Sequence, residues 1–281
     1  MLRTQAPVRA LGPTDRDEAL ALCARDPAAN CFVAARIEEG ALLSMPGSLI
    51  GYHVDGQLQS LAWAAANLVP VECDEPALDA IAQRVRRWRR QCASIFGPTE
   101  QVAGLWARLG PSWGPARTIR QVQPVLSVEV PPEALGVTED PLVRRARLDE
   151  VDLVLPAATA MFTDEIGYPP YVGSVAAYRS VIAGLIRAGH TLVWTEGGAT
   201  LFKADIGSVG VGAAQIQGVW LTPALRGQGL ARALMAAVTG IVLREVAQQA
   251  TLYVNDFNHA ARATYAALGY RQVGTFSTVL L

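Results

Sequence analysis

Lysine is almost missing from this chain. Of its 24 basic residues, all but Lys203 are arginine, a bias that points to a GC-rich coding sequence and singles out Lys203. Long apolar runs are missing too. Nothing approaches the roughly 18 uninterrupted apolar residues of a membrane span; the most apolar segment, Leu230 to Leu243, is short and carries Arg232. The opening MLRTQAPVRAL has no apolar centre of the signal-peptide type. A soluble, cytoplasmic protein with no membrane partner is therefore expected. Charge of one sign is also in short supply: 24 basic against 25 acidic residues leave a net charge of −1, so no general attraction to nucleic acid is expected. The four cysteines, Cys23, Cys31, Cys73 and Cys92, form no C-x-x-C pair and have no histidine at ligand spacing. They read as free, buried thiols, and no metal is expected. His53, His190 and His259 lack any partner pattern and receive no role.

What is present is material for a core, with 51% hydrophobic against 17% charged residues, and an order of signals that occurs twice. Each half opens on a strand-like stretch (VRAL; VRRARL), then a helix start, read at Thr14 with Asp17 and at Asp149 with Asp152. Each continues through a helix to a hairpin, turning at Asp55-Gly56 and at Gly197-Gly198. A further strand follows (ANLVPVE; AQIQGVWL), then a helix, a strand (CASIFGP; TLYVNDF), a helix (QVAGLWARLG; ARATYAALGY) and a terminal strand (TIRQVQPVLSV; TFSTVLL). The stretch VPPEALGVTEDP between the halves reads as a linker. The expectation is two copies of one α/β unit, residues 1–130 and 142–281, joined by residues 131–141.

The second copy carries a turn that needs its own account, LTPALRGQGLARAL from Leu221 to Leu234. A strand over Ala214–Leu221 runs into it, and a helix starting near Gly229 leaves it with an apolar stripe at Leu230, Ala233, Leu234, Ala237, Val238, Ile241 and Val242. The first N–H groups of a helix lack internal partners and carry about half a positive charge. Glycines there let a phosphate approach the backbone, and Arg226 adds a fixed charge. The reading is a pyrophosphate cradle. A Walker loop is excluded by the absent lysine, and a dinucleotide fingerprint by Arg232 where its third glycine belongs. What fits is [Q/R]-x-x-G-x-[G/A], met by Arg226, Gly229 and Ala231. Downstream, NHAARATYAALGY supplies Asn258, Ala261, Tyr265, Gly269 and Tyr270 at N-x-x-A-x-x-x-Y-x-x-x-G-[FY].

With these two motifs in order, the second half resembles the GCN5-related N-acetyltransferases (GNATs). The whole chain resembles two-domain bacterial members whose N-terminal domain is poorly characterised, the closer match resting on FKAD, QGVW and YVNDFN. The resemblance implies two tandem GNAT-like domains, each a mixed, mostly antiparallel sheet flanked by helices. It implies acetyl-CoA as acyl donor, its pyrophosphate on Arg226, Gly227, Gln228, Gly229, Leu230 and Ala231, and its pantetheine arm on the strand around Val219 and Leu221 and on Asn258. Tyr265 is then placed to give a proton to the departing thiolate, and a backbone N–H near Val219 to meet charge on the carbonyl oxygen.

The general base is less legible. Strand 214–221 offers Gln215 and Gln217 in place of a carboxylate, so Asp164 and Glu165 after the first helix of this half are the candidates, Glu165 preferred. Lys203 and Asp205, two apart on a strand, share a face and suit the carboxylate and ammonium of an amino-acid-like acceptor; an exposed surface ion pair is the simpler account. In the first copy Cys73, Asp74, Glu75 and Pro76 stand where the glycine turn should be, and Trp106 aligns with Tyr265. Carboxylates cap a helix themselves and repel pyrophosphate, so no CoA is expected there. The arginines of RVRRWRR lie opposite Leu78, Ile81, Val85, Trp88 and Cys92 on a helix over Leu78–Cys92, a solvated face. The expected function is acetyl transfer to a primary amine of a small molecule or peptide by direct attack in a ternary complex. The alternatives are a non-catalytic acyl-CoA sensor and a tRNA-dependent aminoacyl transferase, the latter opposed by the charge balance and the intact CoA motif. The oligomeric state is open.

Overall fold

The computed structural model describes residues 7–88 and 91–281. Its chain divides into two compact units. The first comprises Met1–Leu126, Tyr253–Asn258 and Gln272–Leu281, the second Ser127–Leu252 and His259–Arg271.

In the first unit, β1 (Val8–Ala10) leads through a 3-10 turn into α1 (Arg16–Cys23), α2 (Pro27–Glu38) and the short α3 (Ala41–Ser44). Then come β2 (Leu49–Val54), β3 (Gln57–Ala64), β4 (Asn67–Val71), α4 (Glu75–Val85), β5 (Ser94–Pro98), α5 (Thr99–Trp113) and β6 (Thr118–Val128). Strands β1 to β4 pair antiparallel in sequence, and β5 joins β4 in parallel. The second unit repeats that plan. It runs β7 (Arg144–Arg145), α6 (Val151–Ile166), α7 (Ala176–Arg187), β8 (Thr191–Glu196), β9 (Ala199–Gly210), β10 (Ala213–Leu221), α8 (Ala231–Glu245), β11 (Gln249–Tyr253) and α9 (His259–Ala267). Strands β7 to β10 pair antiparallel, with β11 parallel to β10. Both hairpin turns fall where expected: Asp55-Gly56 and Gly197-Gly198 have positive φ at both central residues, the twist a two-residue hairpin needs.

The repeat extends to one polar device. Arg9 on β1 grips Asp15 with two hydrogen bonds (2.8 and 2.7 Å), and Asp15 also accepts the N–H of Gly12. Arg144 on β7 grips Glu150 in the same way (2.8 and 2.7 Å), and Glu150 accepts the N–H of Arg147. The helix starts expected at Thr14/Asp17 and Asp149/Asp152 are thereby corrected. A 3-10 turn precedes each helix (Pro13–Asp15; Leu148–Glu150), so the acid that reaches back to the backbone is the turn's third residue.

Three further expectations change. The C-terminal strand β12 (Arg271–Leu280) does not complete the second copy: Phe276–Leu280 pair antiparallel with Ser94–Pro98 of the first unit. Phe276 packs 5.3 Å from the Tyr253 ring, and Val279 enters the core around Leu78, Ile81 and Leu105. Alternation marks a strand without saying which edge receives it. The expected linker belongs to the second unit, docked on α8: Arg244 pairs with Glu139 (2.6 Å) and the Asp140 N–H donates to Ala233 O. The segment covers Gly240, where a Cβ would strike Glu139, while Thr239 is held by Tyr270; both are buried, with Met235 and Ala236, outside the expected stripe, of which Leu234, Ala237, Val238 and Val242 are buried and Leu230, Ala233 and Ile241 half-buried. Finally, α4 stops at Val85, short of Cys92; Arg84, Arg86 and Arg87 are exposed, and Arg89 and Arg90 lie outside the described residues.

All four cysteines are buried. Burial pushes the Cys23 and Cys73 thiols up to about 12, which keeps them protonated and inert. Among the described residues no group of three or more His, Cys, Asp or Glu is placed to hold a metal, and no helix is long and apolar enough to cross a membrane.

Candidate active site

β10 sets the geometry. It leaves the Val211-Gly212 turn, whose residues both have positive φ, with Ala213 to Ile216 buried. Parallel pairing with β11 covers only Ala213 to Gln215, so beyond it β10 is held by β9 alone. There the register slips: Gln217 faces Asp205 and Trp220 faces Lys203, leaving Gly218 and Val219 opposite Ala204. This is a β-bulge. Gly218 has φ +59°, and its residue identity matters because a Cβ would stand 2.8 Å from the Asp205 carboxylate and 3.0 Å from the Lys203 amine. From Gly218 to Leu221 the strand is half-buried.

The turn after β10 is built to stay open. A 3-10 turn over Pro223–Leu225 carries the chain to Arg226, and Gly227 and Gly229 both take positive φ (+78° and +79°). A Cβ on either would meet nothing within 4 Å. The N-cap of α8 is Leu230, which supplies no side-chain acceptor, so no side chain caps the first N–H groups of α8. Gln228 braces the turn by donating to Ala224 O (2.9 Å). Arg226 donates through Nε to Leu221 O (2.9 Å) and through Nη2 to Asp164 (3.3 Å), with its side chain half-exposed. Asp164, expected near the acceptor, thus sits on the cradle arginine at the end of α6.

Tyr265 lies on α9, buried, with its ring 5.6 Å from that of Tyr270, whose hydroxyl shares a 3.1 Å hydrogen bond with Thr239. Burial, and secondarily the charge of Glu165, push the Tyr265 hydroxyl up to about 12. It is a neutral donor throughout the ordinary pH range. Glu165 is exposed at the end of α6, close enough for its charge to be felt at Tyr265. Asn258 is counted with the first unit; its N–H donates to Asn255 O one residue before α9.

The simpler account of Lys203 and Asp205 is overturned. They are no surface pair: Lys203 is 0% and Asp205 4% exposed. The Lys203 amine donates to Asp205 Oδ2 (2.5 Å) and to Gly218 O (2.9 Å), and Asp205 Oδ1 accepts from Thr191 (2.9 Å). Spacing on β9 showed their common face. Gly218 and Thr191, which come from the neighbouring strands, were not readable as partners, although a glycine inside a strand does signal a bulge.

Comparison with known proteins bears on the fold. Residues 147–270 match the model of the acetyltransferase (GNAT) family, and residues 47–154 that of a domain of unknown function, DUF4081. The GNAT match spans most of the second half of the chain. Among solved structures, a Drosophila protein aligns over 98% of this chain and 99% of its own at 14% identity (TM-score 0.66). A tandem GNAT protein from the clavulanic acid biosynthesis pathway aligns over 97% and 98% at 16% identity (TM-score 0.59). A GCN5-related N-acetyltransferase from Sphaerobacter thermophilus aligns over 96% and 93% at 18% identity (TM-score 0.59). These likenesses establish the fold, a mixed α/β architecture with a mostly antiparallel sheet flanked by helices. No curated protein matches the chain in sequence.

Proposed function

We propose that the protein is an N-acetyltransferase that moves the acetyl group of acetyl-CoA to a primary amine of a small molecule or peptide by direct attack in a ternary complex. One observation carries this reading: an uncapped helix N-terminus behind two positive-φ glycines that open on empty space, at the end of a strand released from its parallel neighbour. That arrangement suits a doubly charged pyrophosphate. The turn from Arg226 to Ala231 holds it, and Val219 and Leu221 receive the pantetheine arm along β10. When bound, acetyl-CoA supplies a thioester carbonyl open to attack.

The chain's own groups then have separate tasks. The Val219 N–H, set in the bulge and outside both ladder registers, meets the charge that grows on the carbonyl oxygen. Tyr265 donates a hydrogen bond to the departing sulfur. With its proton held to about 12 against about 8.5 for an ordinary thiol, it stabilises a thiolate more readily than it protonates one. Glu165 takes the proton of the attacking ammonium, directly or through water.

Calorimetric titration of acetyl-CoA into the purified chain tests the reading. One site per chain with micromolar affinity is expected. Absence of binding removes it, and two sites remove the assignment of the first unit as a non-binder. Thiol release that rises with added amine is expected next; binding with no release across an amine panel identifies an acyl-CoA sensor.

A further inference from the structure

We propose that Lys203 is a positioning residue for acyl transfer: its buried amine clamps the Gly218–Val219 peptide and so aims and polarises the Val219 N–H. The inference rests on the acetyltransferase reading above and adds to it a residue outside the cofactor motifs.

The argument begins with what a buried amine requires. Taking an ammonium out of water costs several kcal/mol unless charge and hydrogen bonds replace its hydration. Lys203 has both, from Asp205 Oδ2 and Gly218 O, and Asp205 is completed by Thr191. Asp205 would suffice as counter-charge. The bond to Gly218 O is a different matter, because that carbonyl belongs to the bulge, where β9 has one residue against two on β10. In a regular ladder a backbone N–H would take such a carbonyl. Here the Lys203 amine donates to it.

The consequence follows from peptide geometry. In a planar trans peptide the C=O of one residue and the N–H of the next point in opposite directions. The chain has no cis peptide among its described residues. Holding Gly218 O on the Lys203 side therefore aims the Val219 N–H to the opposite side. A cation on the carbonyl also draws electrons through the amide and strengthens the N–H as a donor. Gly218 fits this role twice. Its φ of +59° suits glycine, and a Cβ would enter the pair, 2.8 Å from Asp205 Oδ2, 3.0 Å from Lys203 Nζ and 3.2 Å from Met161 on α6. A catalytic donor made of backbone thus acquires a side chain that sets its direction.

Lys203→Met alone strands the Asp205 carboxylate and risks misfolding, so the working variant is Lys203→Met/Asp205→Asn, with Gly218→Ala as an independent disruption from β10. Two readouts are needed, the first with no ligand. The Val219 amide proton, followed by NMR in the free chain, is expected to move upfield in the double variant, as that of a weaker donor does, while core amide shifts stay in place. The second is isotope-edited infrared spectroscopy of acetyl-CoA labelled with carbon-13 at the carbonyl. The thioester band is expected at lower frequency on the wild-type chain than in solution, and back near its solution position on both variants, with affinity for acetyl-CoA held within about threefold because the clamp touches the carbonyl donor alone. Thiol release from acetyl-CoA should fall about 100-fold in kcat with KM little changed. An unchanged Val219 amide and an unchanged carbonyl band in a folded double variant overturn the clamp. A wild-type chain that binds no acetyl-CoA overturns the acetyltransferase reading, and the Val219 amide shift then decides the clamp alone.

Discussion

The same junction, a strand leaving its parallel partner and turning into a helix, occurs once in each unit and ends in opposite ways. In the first unit β4 pairs with β5 only through Asn67–Ser94 and Leu68–Ile95. Beyond that point the gap is filled: Leu68 to Val71 stay buried, and Pro70 lies where a Cβ on Gly97 would touch it at 3.5 Å. The helix end is used up as well. Asp74 caps α4 by accepting the Ala77 N–H, Pro76 removes a donor, and Gln101 takes the Cys73 N–H. In the second unit β10 leaves β11 after Gln215, stays half-buried to Leu221, and delivers the chain to an uncapped helix behind two glycines. The fold supplies a split sheet in both units. The residues at the turn decide whether the split is filled or left open.

The strongest way to break the contrast is to write the first turn's chemistry into the second. Gly229→Glu places a side chain in the left-handed region and a carboxylate at the α8 N-terminus, where Asp74 and Glu75 stand in the first unit. The carboxylate repels pyrophosphate. Acetyl-CoA affinity is expected to fall more than about 100-fold, with the melting temperature changed by only a few degrees. Titration and thermal melting read the two effects separately, and retained affinity removes the cradle.

A smaller change erases the difference on the following helix, where the first unit carries Trp106 in place of Tyr265. Trp106 packs on the core and against Gly110, with no hydroxyl to offer. Tyr265→Phe keeps the ring against Tyr270 and removes the donor. Turnover is expected to drop about 10- to 100-fold with acetyl-CoA affinity nearly unchanged; a turnover equal to wild type assigns Tyr265 to packing.

The parts of this comparison that the sequence discloses are the local ones. Asp55-Gly56 and Gly197-Gly198 declare hairpins because their backbone conformation belongs to those residues. Asp74 and Gly229 declare a capped and an open helix end for the same reason. What stays hidden depends on distant partners. Lys203 and Asp205 show their shared face by spacing, but their burial follows from Thr191 on one neighbouring strand and Gly218 on the other. The last strand shows alternation and conceals its destination on β5, since pairing there is a matter of edges remote in sequence. The α8 stripe misses Gly240 because the segment that covers it, at Glu139, is an acidic stretch that reads as linker.

Acid tests the polar device that the units share. Hydrogen bonds from Arg9 hold the Asp15 carboxyl down at about 2, and those from Arg144 hold Glu150 at about 2. Both folded values lie below the unfolded ones, so each pair contributes fully above about pH 5 and loses its contribution as pH falls toward about 2. With half-exposed arginines as partners, about 1–2 kcal/mol per carboxylate is a fair discount from the full shift. Both units should therefore lose stability over the same acid range. Arg9→Met should remove that acid sensitivity from the first unit and leave it in the second, as followed by amide exchange in each; equal loss in both would show that other carboxylates govern the acid response.

The smallest expected effect concerns a contact on the working turn itself. Arg226 divides its guanidinium between Leu221 O and Asp164, the latter at 3.3 Å with both side chains about half-exposed. An exposed pair of this kind is worth about 1 kcal/mol at most. If Asp164 merely competes with pyrophosphate for Arg226, Asp164→Asn should tighten CoA binding by up to about fivefold at low salt, and the gain should shrink as ionic strength shortens the reach of surface charge. If Asp164 instead holds the guanidinium at the right height over the turn, the same substitution weakens binding at every salt concentration. Titration of CoA at two ionic strengths separates a competitor from a support, and so shows whether the end of α6 opposes the open turn or helps to build it.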